Sequence, residues 1–296
     1  MLGRGLVEEL LRRDDDVTVL SRSADRASQA FGGRVDAREW RDPKREQPPA
    51  AALAGRDGVI HLLGEPVAQR WTDSARREIR DSRVLATRNL VAALAALPEG
   101  DRPRVLVSQS ASGWYGPRGD EPVDETEPAA GDFLAQVCVE WEREASAAEP
   151  LGVRVIRART GVVLSESGGA LEKMLPPFKL GVGGPVAGGR QYVPWIHADD
   201  VVGGLVFCLD DAAASGAVNL TAPEPVTNRE LSKALGRVLG RPAIAPVPAL
   251  AVRALYGDMA RIVTTGVRAV PRRLQELGYR FRQPDLEPAL RQATRR

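Results

Sequence analysis

The sequence predicts an α/β protein built on a doubly wound parallel sheet, with a smaller α/β lobe towards its C-terminal end. Three observations carry this. Short aliphatic runs recur at Val17–Leu20, Gly58–Leu63, Val105–Val107 and Val153–Ile156, continuous rather than alternating, as in strands buried on both faces. Stretches of helical periodicity lie between them, which is how successive parallel strands are joined. Beyond Arg159 the texture changes to glycine-rich and proline-rich segments, at Gly181–Pro185, Gly188–Arg190 and 242–248.

In chain order, Leu6, Val7, Leu10 and Leu11 fall at helical spacing among Glu8, Glu9, Arg12 and Arg13. Val17–Leu20 follows as a buried strand ending at Ser21-Arg22-Ser23. A helix followed by a short strand is the second half of a βαβ unit. The first half is a strand and a glycine-rich turn, where the helix N-terminus holds a pyrophosphate. Only Gly3 stands where the last glycine of such a turn packs helix against strand. The expectation is therefore a chain lacking its first strand, with Met1 an internal methionine of the turn. About a dozen codons upstream should encode that strand and the two earlier glycines.

A weak strand is expected over Val35–Trp40 and a clear one over Gly58–Gly64. Thr72 can cap a helix to about Leu97, and Asp132 one to about Ala148. Later come a strand over Gln191–Ile196, an apolar helix opened by Asp199-Asp200, and a short helical segment ending in Leu286–Arg291. Thr227 and Glu230 form a capping box for a helix to about Leu239. The reading is a nucleotide-binding domain over 1–164, partly completed by 191–222, and a substrate-side lobe over 165–296.

With 296 residues, the chain can form one large α/β domain or one with a smaller lobe. Basic and acidic residues nearly cancel, 41 against 39, so no field draws in nucleic acid or an anionic membrane. The pairs Arg272-Arg273 and Arg295-Arg296 read as solvated faces. Cys138 and Cys208 give no disulfide framework, and the two histidines add no metal-ligand spacing. Charges interrupt the first residues, and no apolar run approaches membrane-spanning length. A cytoplasmic protein with a small-molecule substrate is expected.

Several ordered motifs make a family visible. They are Leu63-Gly64-Glu65-Pro66 with Arg70-Trp71, Ile79-Arg80-Asp81-Ser82-Arg83, the run Ser108–Gly116, Arg159–Leu164, Trp195–Asp200 and Pro271–Leu274. On these the chain resembles the extended short-chain dehydrogenase/reductases. Closest is their atypical, epimerase-like branch, part of the NAD-dependent epimerase/dehydratase superfamily, with a C-terminal domain of unknown function. The resemblance implies a Rossmann-like sheet and a nicotinamide dinucleotide.

At the tip of the second strand of such a sheet, an acid selects NAD and a base accepts the 2′-phosphate of NADP. Ser21-Arg22-Ser23 stands there with no acid before Asp25, so NADP(H) is the expected cofactor. Arg22 offers a fork of donors and Ser21 a hydroxyl. Leu62 and Gly64, ending the next strand, are expected beside the cofactor, the glycine because backbone can then come close. A plain strand-ending turn is the competing reading of Gly64.

The chemistry implied by the resemblance needs a tyrosine to exchange a proton with substrate oxygen, a lysine four residues later, and a strand-end serine or threonine. Ser110 is the expected serine, with Ser108 and Ser112 as rivals. The tyrosine–lysine pair is missing. Two registers on the helix after Asp132 put Phe133 and Val137, or Leu134 and Cys138, at those positions, a loss the resembled branch shares. Tyr115 is the candidate replacement acid, against a packing role in an apolar pocket. Cys138 reads as a small buried residue and His197 as a helix-start hydrogen bonder. Glu65, Arg70 and Trp71 either line the substrate pocket or shape its loop. Two functions follow: an NADP-dependent oxidoreductase or epimerase-like enzyme for a small polar substrate, or a non-catalytic NADP-binding sensor or scaffold.

Overall fold

A computed structural model describes residues 2–165 and 168–294; Met1 and the Arg295-Arg296 pair lie outside the described residues. Helix α1 (Leu2–Arg12) leads into β1 (Thr18–Ser21), α2 (Ala24–Ala30) and β2 (Asp36–Glu39). Next come β3 (Gly58–His61), α3 (Asp73–Ala96), β4 (Val105–Ala111), β5 (Pro122–Val123), α4 (Phe133–Ser146) and β6 (Arg154–Thr160). They are followed by β7 (Val162–Leu164), α5 (Gly169–Lys179), β8 (Tyr192–Val193), β9 (Trp195–His197), α6 (Ala198–Asp210) and β10 (Gly216–Leu220). Then β11 (Val226–Thr227), α7 (Asn228–Leu239), α8 (Ala249–Tyr256), α9 (Ala260–Thr264), β12 (Arg268–Ala269), α10 (Arg272–Glu276) and α11 (Leu286–Ala293) complete the order.

Side-chain caps set the helix starts. Thr72 Oγ1 accepts from the Ala75 amide at 3.1 Å, and one Asp132 oxygen accepts from the Leu134 and Ala135 amides. Thr227 and Glu230 exchange both bonds of a capping box. Each bond satisfies an amide that the helix itself leaves without a partner.

Four parallel strands form the main sheet in the order β10-β6-β4-β3. Successive side chains of β4 feed two different cores. Leu106, with Val155, packs on Leu90 and Leu94 of α3 and Ala145 of α4. Val105 and Val107, with Ile156, pack on Val201 and Leu205 of α6. Both faces are covered, which is why the strand sequences are continuously apolar. A third core joins Leu171 and Phe178 of α5, Trp195, Leu231 and Leu235 of α7, and Leu290 of α11.

The strands β1 and β2 form a separate parallel pair, so the sheet is interrupted between β1 and β3. Helix α1 spans the interruption, Leu6 packing with Ile60 and Leu62, and Val7 with Val17 and Val19. Two strands outrun the sequence expectation. β4 and β6 continue to Ala111 and Thr160 because they pair with each other in register along their whole length, Ser110 opposite Arg159. The strand expected over Gln191–Ile196 is instead broken into β8 and β9 at Pro194, which has no N–H for a ladder.

Candidate functional site

In a doubly wound sheet the cofactor side is the carboxyl edge of the strands. A Cβ added at Gly3, in the first turn of α1, would meet nothing within 4 Å, and the amides of a first turn have no partner within their own helix. Ser21 Oγ, at the end of β1, accepts from the Ser23 amide at 3.3 Å. Arg22 beside it is exposed, and its guanidinium has no hydrogen bond or ion pair among the described residues. Amides at a helix start and a free fork of donors one strand away fit a pyrophosphate and a 2′-phosphorylated ribose. Leu62 is spent on packing between α1 and α6. At Gly64 the close approach that the structure shows is that of a side chain. A Cβ there would lie 2.9 Å from Cζ of Arg83, so the glycine's missing side chain makes room for that guanidinium.

Beyond the strand tips lies a buried polar network. Ser110 Oγ donates to Glu142 Oε1 at 2.7 Å, and Arg159 grips both Glu142 oxygens through Nε at 2.8 Å and Nη2 at 3.0 Å. Nη1 of Arg159 donates to the Tyr115 hydroxyl at 3.1 Å, and that hydroxyl donates to Asn219 Oδ1 at 2.7 Å. The guanidinium lies 3.8 Å from the centre of the Trp114 ring. The backbone N–H of Asn219 donates to Glu125 Oε1 at 2.8 Å. Tyr115 is fully buried, and burial pushes its phenol up to about 12, against the pull of Arg159. In this arrangement the Tyr115 hydroxyl holds Arg159 and Asn219 together, which fits the packing role set against that of proton donor. Ser110 is 2 % exposed and already committed to Glu142. Of its rivals, Ser108 is equally sealed, whereas Ser112 is half-buried.

Of the two helix registers the sequence leaves open, one faces the serine loop. A Cβ at Gly113 would meet Leu134 at 3.4 Å and the Cys138 sulfur at 3.9 Å, so the Leu134–Cys138 face of α4 looks onto the serine loop. Phe133 instead meets Trp71 edge-on, ring centres 5.2 Å apart. The Cys138 thiol points at the Ala111 carbonyl, 3.7 Å away, and burial pushes it up to about 12. It stays protonated. Arg83 of α3 approaches from the other side, its guanidinium 5.3 Å from the Trp141 ring centre and its Nη1 donating to Ile79 O.

The loop after β3 is held by its own hydrogen bonds. The Glu65 amide donates to Ser82 Oγ at 2.9 Å and its carboxylate accepts from Gln69 at 3.2 Å. Trp71 Nε1 donates to Val67 O, and Arg76 stacks over both Trp71 and Phe133. Arg70 lies against Gly257. Glu65 and Trp71 thus shape the loop, while Arg70 reaches towards the C-terminal segment. His197 accepts from the Asp199 amide at 3.2 Å, the helix-start role expected of it. Among the described residues no cluster of three potential ligands could hold a metal. Nor is any described helix long and apolar enough to cross a membrane.

Glu142, Arg159, Asn219 and Arg83 were not singled out from sequence as site residues. A signal for two of them existed. An arginine inside the buried run Ala158-Arg159-Thr160 requires an acid, and Cys138 and Glu142 share a helix face at a spacing of four.

A parallel sheet wound on both faces, with the first turn of a helix and an arginine unpaired among the described residues at its carboxyl edge, defines a dinucleotide-binding α/β protein. Residues 1–221 match the model of the NAD dependent epimerase/dehydratase family, and residues 247–293 match a domain of unknown function (DUF1731). The chain belongs to the NAD dependent epimerase/dehydratase family. It is 39% identical over 298 residues to epimerase family protein Mb2239 of Mycobacterium bovis, covering 100% of this chain and 95% of that one. Epimerase family protein YfhF of Bacillus subtilis is 34% identical over 293 residues, 98% of this chain and 94% of its own length. The crystal structure of human epimerase family protein SDR39U1 (isoform2) with NADPH superposes with a TM-score of 0.87 at 31% identity, covering 99% of this chain and 95% of the human one.

Proposed function

We propose that the protein is an NADP(H)-dependent oxidoreductase or epimerase-like enzyme acting on a small polar substrate. The observation that carries the reading is Arg22, an exposed guanidinium without a partner among the described residues, at the tip of the strand that follows α1. The NADPH in the human relative supports the same cofactor. When bound, the cofactor exchanges a hydride at its nicotinamide ring. The chain's part is to bind and orient: Arg22 and Ser21 take the 2′-phosphate, and the α1 amides take the pyrophosphate. Gly113, Cys138 and the loop carrying Glu65 and Trp71 bound the space where substrate meets the nicotinamide.

Fluorescence titration of NADPH and NADH tests this. The unaltered protein should prefer NADPH. Arg22→Glu should weaken NADPH binding by roughly tenfold or more, since hydrogen bonds to charged groups are worth about 1.5–3 kcal/mol, and should leave NADH nearly unchanged. Equal loss for both cofactors sinks the assignment of Arg22. A second reading, a non-catalytic NADP(H)-binding sensor or scaffold, is favoured by the committed hydroxyls of Ser110 and Tyr115. A screen for NADPH oxidation dependent on small polar carbonyl compounds separates the two: turnover supports the enzyme, and tight binding without turnover supports the sensor.

A further inference from the structure

Cations and acids nearly balance over the whole chain, but not in its C-terminal lobe. From Leu231 to Gln275 there are eight Lys and Arg residues and a single acid, Asp258, which is paired with Arg76 of α3. From Lys173 to Ala198 there are three cations and no acid. The side chains of Lys179, Arg241, Arg253 and Arg261 are exposed and have neither ion pair nor hydrogen bond among the described residues. The overall balance of 41 against 39 therefore hides a local positive field.

The same segments carry large apolar side chains that stand in water. Leu180, Val182, Ile244, Leu250 and Leu255 are 59 to 83 % exposed, and Tyr256 joins them. In α8 only Val252 is buried, so this apolar helix meets water on most of its circumference. The segments are neighbours in space. Residues 181–186 run beside 242–247, with Val186 paired to Val247 and the Cβ position of Gly181 3.8 Å from Pro242. Gln191 ties that ribbon to α9, donating to Val186 O and Val263 O, and α8 packs on α9. Leu250, Arg253 and Arg261 line one hollow between those two helices, and Arg241 and Ile244 line another beside α7.

We propose that this face is a peripheral docking surface for an anionic lipid bilayer. The protruding leucines and Ile244 enter the acyl boundary, Tyr256 sits at the level of the headgroups, and the free cations meet lipid phosphates. The chain lies on such a bilayer and does not span it. Charge and shape choose between occupants. A second copy docked through a two-fold contact would set these same cations against each other. Nucleic acid would neutralise the cations but leave the leucines uncovered, with Tyr256 the only exposed aromatic to stack on bases. An anionic bilayer answers both the charge and the apolar side chains. The inference stands apart from the cofactor reading.

The test is sedimentation of the whole chain with vesicles of phosphatidylcholine alone, or of phosphatidylcholine and phosphatidylglycerol in equal parts. The protein should sediment with the mixed vesicles, far less with phosphatidylcholine alone, and less again as salt is raised. Arg253→Gln with Arg261→Gln should lower partitioning into the mixed vesicles by roughly thirtyfold. Leu250→Ser with Leu255→Ser should lower it by about tenfold or more. All four side chains are exposed, so melting of the unbound protein should stay within a few degrees of the parent in both variants. Absence of the parent from the mixed-vesicle pellet would overturn the proposal. Equal binding to both kinds of vesicle, or variants that bind as the parent does, would overturn it too. A dimer in light scattering that the leucine variant splits, with no vesicle binding, would assign the face to a second copy instead.

Discussion

The buried pair Arg159–Glu142 dominates the site at the scale of single residues, because each is under 5 % exposed and each is the other's counter-ion. Glu142→Gln leaves the guanidinium uncompensated, and breaking a buried pair from one side costs about 3–5 kcal/mol. Ser110→Ala removes only one of the donors to Glu142, so a loss near 1 kcal/mol is expected, with NADPH affinity unchanged. Chemical denaturation of the three proteins checks both figures, and an Ser110→Ala loss equal to that of Glu142→Gln would contradict the ranking. A second residue makes stability depend on pH. Thr87 Oγ1 donates to Arg83 O at 2.7 Å, so at its 3.0 Å contact with His61 Nε2 it is the acceptor, and His61 carries its proton on Nε2. Burial pulls the His61 pKa down from 6.5 to about 4. Below pH 6.5 the unfolded chain then binds a proton that the folded one refuses, so this contribution is complete above pH 6.5 and is lost as pH falls towards 4. The difference by pH 4 is roughly 3 kcal/mol. Comparing melting at pH 7 and pH 4.5, the unaltered protein should lose more than His61→Leu, which has nothing to titrate there; parallel losses would contradict the assignment.

At the scale of elements, local chemistry was legible and distant pairing was not. The starts of α3, α4 and α7 follow from Thr72, Asp132 and Thr227, because a cap and the amides it serves are neighbours in sequence. Ser110 at a strand end was equally legible. Its partner Glu142 lies 32 residues away, and the partner of Tyr115, Asn219, lies 104 away. Those meetings depend on the register that sets Ser110 opposite Arg159 and Asn219 beside the same arginine on β10, and no residue spells register out. Gly64 shows the same limit, since its neighbour Arg83 comes from the next helix. Close approach also separates two glycines that look alike in the sequence. A Cβ at Gly161, between β6 and β7, would collide with the backbone carbonyl of Pro194, whereas one at Gly3 meets open space. Gly161→Ala should therefore cost roughly 1–3 kcal/mol as the two backbones are forced apart. Gly3→Ala should leave the unliganded protein unchanged or stabilise α1 by about 0.5–1 kcal/mol. Thermal melts of the two variants decide it, and a Gly161→Ala protein as stable as the parent would show that β7 and β9 move apart freely.

Over the whole molecule, the doubly wound plan was readable because both sheet faces are apolar and β4 feeds the two cores alternately. How the last segments close on that plan was not readable, because the bonds responsible join the start of one helix to residues some 80 positions later. Asp200, fully buried in the first turn of α6, accepts from the Tyr279 hydroxyl at 3.1 Å and from the Arg282 and Gln283 amides at 2.7 and 2.9 Å. Tyr279 and Phe281 pack beside α6 in the second core, and the chain then runs directly into α11, whose Ala289, Leu290 and Ala293 help close the third. One carboxylate thus fastens the chain between two cores. Asp200→Ala orphans three donors, each worth about 1–3 kcal/mol when buried, offset where water can reach them. A net loss of about 3–5 kcal/mol is expected, which for a chain of this size lowers the melting temperature by roughly 10 °C. Asp199→Ala is the control, because that side chain is 45 % exposed and its loss removes only the contact with Gln292 and a 3.6 Å approach to His197 Nδ1. Its loss should stay under about 1 kcal/mol. Limited proteolysis of the Asp200→Ala protein should cut first between Tyr279 and Asp285, releasing α11. Melting indistinguishable from the control, with that segment still protected, would show that the hydrophobic contacts of Tyr279, Phe281 and α11 close the molecule without the carboxylate.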